Sequence, residues 1–435
     1  MADPHARAEA DELVMYITDW NDFDTVKRLH ETGVANYITT LNYAFADVRP
    51  ANLTEEESLA LPYADYDPAQ HGPIVCLPSQ PEADFYRSYP AEESVDGQAD
   101  DAKANLKGFV NQVRLLKERH PQIKVVISLG GWLLSKWFSV AAQSPETRKA
   151  LIDSSIDLWI KGRYKDVNFG GVFDGIDLDW EFPAGADFDA DGIEIPGSQR
   201  GNPHNITLPG DRENYVALAR EYHAALDEAA ENRHLLLTAA TPGTWRGDMG
   251  VDYPGLAQYM DWFCVMDYDM HGSWNPYAAH GAPFYDFAGE EPVGVLEFIE
   301  YLIKSGAPSR QIVMGLPFYG PHWKNVEVGP SGELINQPAE GVGVQTYRDL
   351  LALAAERGLE PQWDDKGQGS YFFDAGAKEF FSYDSMRVIE LKAREIGKKL
   401  NLRGLMAWEF DQDTDDAELT HTMARAFAIP RIETN

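Results

Sequence analysis

The segment Phe173-Asp-Gly-Ile-Asp-Leu-Asp-Trp-Glu-Phe-Pro183 decides the fold of this chain. Acidic and apolar residues alternate along it, which is typical of a β-strand whose two faces meet different surroundings. The acidic face carries Asp177, Asp179 and Glu181, and the apolar face carries Ile176, Leu178 and Trp180. In a closed barrel, the acidic face would point to the interior and the apolar face would pack under helices.

Outward from this segment, short apolar runs alternate with helical patterns, which indicates repeated βα units and a parallel sheet. The eight strand candidates are Leu13–Trp20, Tyr37–Asp47, Lys124–Leu129, Phe173–Phe182, Leu235–Thr241, Trp262–Tyr268, Gln311–Phe318 and Gly404–Phe410. Apolar residues spaced three and four apart predict helices such as Asp101–Arg119, Asp211–Asn232 and Ser382–Leu400. The pattern predicts an α/β fold, a (β/α)8 TIM barrel whose active site lies at the carboxyl ends of the strands.

Two insertions interrupt the barrel pattern. The first, from Asp47 to about Gln98, is polar and dotted with tyrosines, and long loops of this kind are often functional. The second lies between the seventh and eighth strands, where strand-like pieces accompany a helical piece, Thr346–Arg357. We expect residues 321–381 to form a small α+β subdomain that makes one wall of a cleft. The barrel then covers residues 13–320 and 382–430.

The row of carboxyl groups in the fourth strand points to catalysis. Like charges at this spacing cannot all ionise, so at least one group should hold a proton near neutral pH. Buried carboxyl groups are rarely kept without a partner. Hard cations are a competing explanation, but no histidine joins the row and its arrangement is linear. Acids with perturbed pKa values cluster at working sites, which favours the catalytic interpretation.

Asp174, Asp177, Asp179 and Glu181 form the pattern Asp-x-x-Asp-x-Asp-x-Glu, and on it the chain resembles glycoside hydrolase family 18, the chitinase family. The similarity extends over nearly the whole chain. Its other motifs are Ser128-Leu-Gly-Gly131-Trp132, Met266–Trp274, Gly315-Leu-Pro-Phe-Tyr-Gly320 and Trp408. The insertion after Gly320 resembles the extra α+β subdomain of the family.

The resemblance implies hydrolysis of β-1,4-linked N-acetylglucosamine in chitin and chitooligosaccharides, with net retention and no required cofactor. In this family the acetamido group of the substrate is the nucleophile. Glu181 would protonate the glycosidic oxygen and later activate water. Asp179 would orient the acetamide and share a proton with Asp177 or Glu181. Tyr268 would donate its hydroxyl to the acetamido oxygen.

Further residues are expected to bind substrate or support the acids. Trp408 would form an apolar floor, Asp269 would contact the sugar or Glu181, and Tyr16 and Ser128 would donate to the deeper aspartate. The remaining candidates are the stacking platforms Trp132 and Trp274, together with Met266, Phe45 and Tyr319. Family members with the subdomain often carry an arginine directly after the seventh-strand Tyr-Gly, but here the order is Gly320-Pro-His-Trp323. No guanidinium contact to the sugar is therefore predicted there.

Two alternative functions stay open. The first is an endo-β-N-acetylglucosaminidase that trims N-glycans, and the second is a non-catalytic chitin-binding lectin on the same fold. The subdomain favours chitinase, because it would deepen a groove for a linear polymer. The presence of Glu181 with both aspartates favours an enzyme over a lectin. The sequence does not distinguish endo from exo cleavage.

Charge and composition narrow the partners. The chain of 435 residues has a net charge of −33, so nucleic acid and anionic membranes would be repelled. We expect a monomer. The two cysteines, Cys76 and Cys264, could pair with each other or stay as thiols. There is no transmembrane run, and the amino terminus lacks the apolar core of an export signal. We expect a secreted protein whose signal was removed, the alternative being a protein that stays inside the cell.

Weaker motifs remain. Asp187-Phe-Asp-Ala-Asp-Gly192 resembles the start of a calcium loop, but its twelfth position is Ser198 rather than glutamate. Calcium near Asp187, Asp189 and Asp191 is thus an alternative to a solvated acidic turn. Asn52-Leu-Thr54 and Asn205-Ile-Thr207 are glycosylation sequons, which carry meaning only for a eukaryotic or archaeal source.

Overall fold

A closed barrel of eight parallel strands forms the body of the protein. The computed structural model describes residues 10–20, 23–184, 201–230, 233–244, 250–289 and 292–432. The barrel strands are β1 (Glu12–Thr18), β2 (Thr40–Pro50), β3 (Lys124–Gly130), β4 (Gly175–Asp179), β5 (Leu236–Pro242), β6 (Trp262–Met266), β7 (Ile312–Pro317) and β8 (Gly404–Trp408). Each strand pairs in parallel with the next, and β8 pairs with β1, which closes the barrel. The predicted (β/α)8 fold is confirmed.

Helices surround the barrel between successive strands. The helices of seven or more residues are Thr25–Glu31, Gly108–Arg119, Pro145–Ser155, Asp211–Ala229, Val295–Lys304, Tyr347–Arg357, Met386–Lys392 and Glu418–Ala426. Two of these helices continue as short π-helical segments, Pro145–Ser155 through Ile156–Ile160 and Met386–Lys392 through Ala393–Lys398. Shorter helices are Glu55–Ala60, Pro68–His71, Gly131–Leu134, Phe138–Ala142 and Tyr253–Leu256. The strand residues are buried, as expected for a sheet covered on both faces.

Several predicted element ends were wrong, and each error has a tertiary cause. The helix predicted from Asp101 begins at Gly108, because the N–H groups of Lys107 and Gly108 donate to Phe85 and Arg87 carbonyls. The helix predicted from Ser382 begins at Met386, since Ser382 belongs to a strand of the insertion. Local periodicity does not record these contacts with distant segments.

The first insertion is folded rather than a long loop. Its strand Ile74–Pro78 pairs antiparallel with the extended end of β2. Phe85 is fully buried and stacks on Phe169, with ring centroids 5.1 Å apart. Buried aromatic packing of this kind fixes residues 74–86 against the barrel.

The second insertion is a five-stranded antiparallel sheet between β7 and β8. In spatial order its strands are Glu340–Thr346, Tyr319–Lys324, Glu379–Tyr383, Gly369–Asp374 and Gln362–Asp364. A small core of its own contains Trp323, Val326 and Phe380. The helix Tyr347–Arg357 follows Thr346, whose hydroxyl caps it by accepting the Asp349 N–H. The sheet begins and ends two residues outside the predicted bounds of 321 and 381.

Candidate active site

A cleft opens at the carboxyl ends of the barrel strands. Its lining residues are Tyr16, Phe45, Trp132, Asp179, Glu181, Ala240, Met266, Tyr268, Asp269, Tyr319 and Trp408. Every one of them except Ala240 is a residue that the sequence analysis singled out. Asp177 and Ser128 lie just below the cleft, fully buried. The structure therefore brings most of the predicted site residues together at the end of the barrel where such sites lie.

The two faces of β4 point as the alternation predicted. Asp177 and Asp179 face the barrel interior, where the hydroxyl of Tyr16 donates to Asp177. On the other face, Trp180 is buried, with its ring centroid 5.4 Å from that of Phe138 and 5.2 Å from that of Tyr215. The strand is thus fixed in register by packing on one side, and it presents acids on the other.

Asp177 is surrounded by hydroxyl donors. Its carboxylate accepts from Tyr16 at 2.8 Å, from Ser128 at 2.8 Å and from Thr238 at 2.6 Å. Burial raises the pKa of Asp177, and these three hydrogen bonds act in the opposite direction. Sequence reasoning missed Thr238, which lies on β5. A single threonine in an apolar strand gives no periodic signal.

Asp179 is buried, and its Oδ1 has no hydrogen-bond partner among the described residues. Burial raises the pKa of Asp179 well above its ordinary value, and the neighbouring charges of Glu181 and Asp177 raise it further. Burial and the like charges nearby therefore disfavour the charged form of Asp179.

Glu181 follows β4 and faces the cleft, partly exposed. Burial, and secondly the charge of Asp269, raise the pKa of Glu181 to about 8. A carboxyl group with this pKa is mostly protonated at neutral pH, so it can donate a proton to a bound substrate.

Tyr268, Asp269 and Tyr319 form the wall opposite Glu181. The hydroxyl of Tyr319 donates to Oδ1 of Asp269 at 2.9 Å. Burial raises the pKa of Asp269, while this hydrogen bond lowers it. The pKa of Tyr268 lies well above its ordinary value through burial and the neighbouring carboxylates, so Tyr268 is a hydroxyl donor at any working pH.

Aromatic rings form the floor of the cleft. Phe45 stacks on Trp408 with centroids 5.5 Å apart and planes 16° apart. Trp20 continues the row, with its centroid 5.9 Å from that of Phe45 and 47% of its surface exposed. Trp132 is also half exposed at the cleft. Sequence reasoning missed Trp20, although an aromatic residue at the carboxyl end of the predicted first strand could have indicated it.

Trp274 does not line the cleft around the acids. It is 63% exposed, and its ring lies over Gly272. The neighbouring Ser273 closely approaches Gly341 of the inserted sheet. The role of Trp274 as a stacking platform stays a prediction.

Metal binding, the cysteines and membrane insertion complete the predicted features. Asp187, Asp189 and Asp191 lie outside the described residues. Within the described ranges, no group of three or more His, Cys, Asp or Glu side chains is arranged to hold a metal ion. Cys76 and Cys264 are buried free thiols. Of the helices that the structure describes, none combines the length and apolar character that a membrane crossing requires.

A parallel barrel with a high-pKa carboxyl group over an aromatic floor, at the carboxyl ends of its strands, is the arrangement expected of a glycoside hydrolase. The model of the family described as glycosyl hydrolases family 18 matches residues 12–413, and the chain belongs to that family.

Its relatives carry chitinase names. Chitinase C of Streptomyces lividans is 29% identical over 432 residues, which cover 96% of this chain and 60% of that protein. Chitinase A1 of Niallia circulans is 28% identical over 350 residues, which cover 76% of this chain and 46% of that protein. The catalytic domain of psychrophilic chitinase B from Arthrobacter TAD20 superposes with a TM-score of 0.78 at 27% identity, covering 98% of this chain and 97% of that one. The chain thus spans only about half of the full length of these curated relatives.

Proposed function

We propose that this chain is a chitinase that hydrolyses β-1,4 linkages between N-acetylglucosamine units, with Glu181 as the proton donor. The observation that carries the proposal is the Glu181 carboxyl group, with a pKa of about 8, facing an open cleft. The stacked rings of Phe45 and Trp408 offer an apolar surface to a pyranose ring. The chitinase names of the relatives support the same substrate.

The proposed reaction uses the acetamido group of the substrate as nucleophile. Glu181 gives its proton to the glycosidic oxygen as the bond to the anomeric carbon breaks. The acetamido carbonyl oxygen bonds to that carbon and forms an oxazolinium ion. A water molecule then loses a proton to the Glu181 carboxylate and attacks the same carbon. The acetamide is restored, and the product keeps the configuration of the substrate.

The neighbouring side chains orient the acetamido group. Oδ1 of Asp179, which lacks a partner within the described residues, can accept the acetamide N–H. The Tyr268 hydroxyl can donate to the acetamido oxygen as charge develops on it. Three hydroxyl donors hold Asp177 as an acceptor, so a proton shared in the row rests on Asp179 or on Glu181.

The two alternatives differ from the proposal at definite features. An endo-β-N-acetylglucosaminidase must admit a branched glycan, whereas the row of rings through Trp408, Phe45 and Trp20 suits a linear polymer. A lectin needs no group with a pKa of about 8 beside a carboxyl oxygen that lacks a hydrogen-bond partner among the described residues. The proposal includes a monomeric state. The proposal includes secretion and needs no metal or cofactor.

Hydrolysis of a fluorogenic chitobioside tests the proposal. Glu181→Gln removes the proton donor without changing size, so turnover should fall about a thousandfold or more while chitotetraose binding persists. Glu12→Gln is the matched control, since Glu12 is a buried glutamate in β1, at the amino end, and should keep its turnover.

Three results would contradict the proposal. The first is near-normal turnover in Glu181→Gln. The second is chitotetraose binding by the wild-type protein without any hydrolysis, which would indicate the lectin. The third is cleavage of N-glycoproteins but not of chitin oligomers, which would indicate the endo-β-N-acetylglucosaminidase.

A further inference from the structure

Glu181 lies beyond the end of the sheet. The strand β4 ends at Asp179, so Glu181 is two residues past its last ladder position. A side chain whose backbone is not held by the sheet needs other contacts to keep its geometry, because small displacements of a reacting group are costly in rate. The structure shows which side chains supply those contacts.

Ser135 binds the backbone on the amino side of Glu181. Its fully buried hydroxyl oxygen accepts the Glu181 N–H at 3.0 Å. The same hydroxyl lies 2.9 Å from the carbonyl oxygen of Asp179 and 2.8 Å from that of Gly131, and it donates its one hydrogen between them. A single side chain therefore joins the end of β4 to the segment that follows β3.

Asn205 binds the carbonyl side of the same residue. Its side-chain Nδ2 donates to the main-chain oxygen of Glu181. Asn205 is buried, with 8% of its surface exposed, although it begins the sequon Asn205-Ile-Thr207. A glycan on this nitrogen would have to replace that hydrogen bond, so the inward-facing amide accounts for the asparagine better than glycosylation does.

Two glycines allow these segments to approach. A Cβ at Gly130, whose φ is +106°, would lie 2.3 Å from the Asp179 carbonyl oxygen. A Cβ at Gly201 would lie 2.4 Å from the Glu181 carbonyl oxygen. Any larger residue at either position would push the backbone around Glu181 aside.

We propose that Ser135 and Asn205 are positioning residues that clamp the main chain of Glu181 and so hold its carboxyl group over the bound sugar. The inference rests on the proposed role of Glu181 as proton donor. Neither residue touches substrate in this account, because both act through the backbone.

The clamp also influences the proton affinity of Glu181. Burial and the nearby Asp269 raise the pKa of Glu181 to about 8. A carboxyl group released toward water would return toward its ordinary pKa. Loosening the clamp should therefore lower the pH above which activity is lost.

The experiment compares Ser135→Ala, Asn205→Ala and the double variant in chitobioside hydrolysis across pH. Each single variant should lower kcat about ten- to hundredfold with little change in KM, and should move the basic limb of the pH profile to lower pH. The double variant should lose less than the product of the single losses, because both side chains hold one residue.

Ser155→Ala is the matched control. Ser155 is also fully buried, and its hydroxyl donates to the Leu151 carbonyl within a helix, away from the cleft. Removing it should lower the unfolding temperature about as much as Ser135→Ala does, with kcat and the pH profile unchanged.

The clamp is refuted if both single variants keep the wild-type kcat and pH profile. It is equally refuted if the losses of activity in both variants are no larger than the fraction of protein that is unfolded. Ser155→Ala shows how much activity a comparable loss of stability removes. Failure of the proposed function would look different, since the wild-type protein or Glu181→Gln would then behave contrary to that proposal. Inactive Glu181→Gln together with fully active clamp variants would reject the clamp alone.

Discussion

The two ends of β4 carry carboxyl groups that are neutralised in opposite ways. Just before the amino end of β4, Asp174 forms ion pairs with three cationic side chains. The distances are 2.5 Å to Lys117 Nζ, 3.1 Å to Arg233 Nη1 and 4.0 Å to Lys124 Nζ. At its carboxyl end, no ion pair within the described parts of the chain involves the acids of the cleft, Asp177, Asp179, Glu181 and Asp269. The acids there either accept hydrogen bonds from hydroxyl groups or have raised pKa values that favour their protonated forms. A carboxylate paired with cationic side chains has no proton to give, whereas a protonated carboxyl group can transfer its proton.

The same contrast holds for the barrel as a whole. Arg403, just before β8, pairs with Glu12 of β1 at 3.2 Å, and Arg310, just before β7, pairs with Asp11 at 2.9 Å. Ion pairs at this end join the amino ends of different strands. At the carboxyl ends, the acids of the cleft pair with no cationic side chain within the described residues, so a neutral or cationic ligand would enter most easily. The difference separates residues that serve the fold from residues that serve the proposed chemistry, even within one sequence motif.

Among the variants that test this comparison, the largest effect is expected from Asp179→Asn. The amide keeps the size of the side chain but cannot exchange a proton with Glu181, so turnover should fall about a hundred- to a thousandfold. Stability should stay equal or increase, because the variant removes a buried carboxyl group whose Oδ1 has no hydrogen-bond partner among the described residues. Steady-state kinetics and thermal unfolding measure the two effects. A loss of stability with normal turnover would contradict the comparison.

Asp174→Asn should show the reverse behaviour. Removing the carboxylate leaves the cations around it, including Lys117, without their partner, so the free energy of unfolding should fall by about 3 kcal/mol. The kcat of the folded protein should stay within a factor of two of wild type. Denaturant unfolding and kinetics on the same samples check both values. A large loss of kcat at full stability would place Asp174 in the chemistry instead.

A smaller effect concerns a second acid pair at the carboxyl end of the barrel. Asp19, just after β1, lies beside Asp84 of the first insertion, and Tyr43 donates to Asp84. Burial raises the pKa of Asp19 from 3.8 to about 7. The folded state therefore binds this proton more tightly than the unfolded state, and stability falls as pH rises through that interval.

Asp19→Asn should remove this dependence. Asparagine carries no proton that is lost in this pH range, so the variant should be more stable than wild type at pH 9 and no more stable at pH 4. Unfolding free energies at the two pH values, with the exposed Asp153→Asn as control, provide the measurement. If Asp19→Asn differs from wild type in stability by the same amount at both pH values, Asp19 does not hold a proton that is lost between them.

The fold was predictable because its signal is local and repeated. Apolar runs separated by helical periods placed the eight strands within a few residues of their observed positions. Element ends were predicted poorly where distant segments set them, as at Gly108, which packs against the Asp84 carbonyl. Hydrophobic periodicity records which face is buried, but not which contact stops a helix.

The site was predictable in part for the same reason. Alternation along β4 assigned the inward face, and the resemblance supplied the residues on the other strands. Thr238, Ser135 and Asn205 were missed as site residues, because each is a single polar residue whose partner is far away in sequence. Asp174 stands in the same motif as the cleft acids, and only the structure shows that it lies among cations.

The account depends on Glu181 holding its proton because burial, and secondly the charge of Asp269, raise its pKa. The pH dependence of kcat/KM in wild type and in Asp269→Asn tests this directly, since the basic limb reports the pKa of the acid in the free enzyme. We predict a wild-type limb near pH 8 that moves to lower pH when the Asp269 charge is removed. A limb that stays in place in Asp269→Asn, or wild-type activity that already falls near pH 5, would contradict the account.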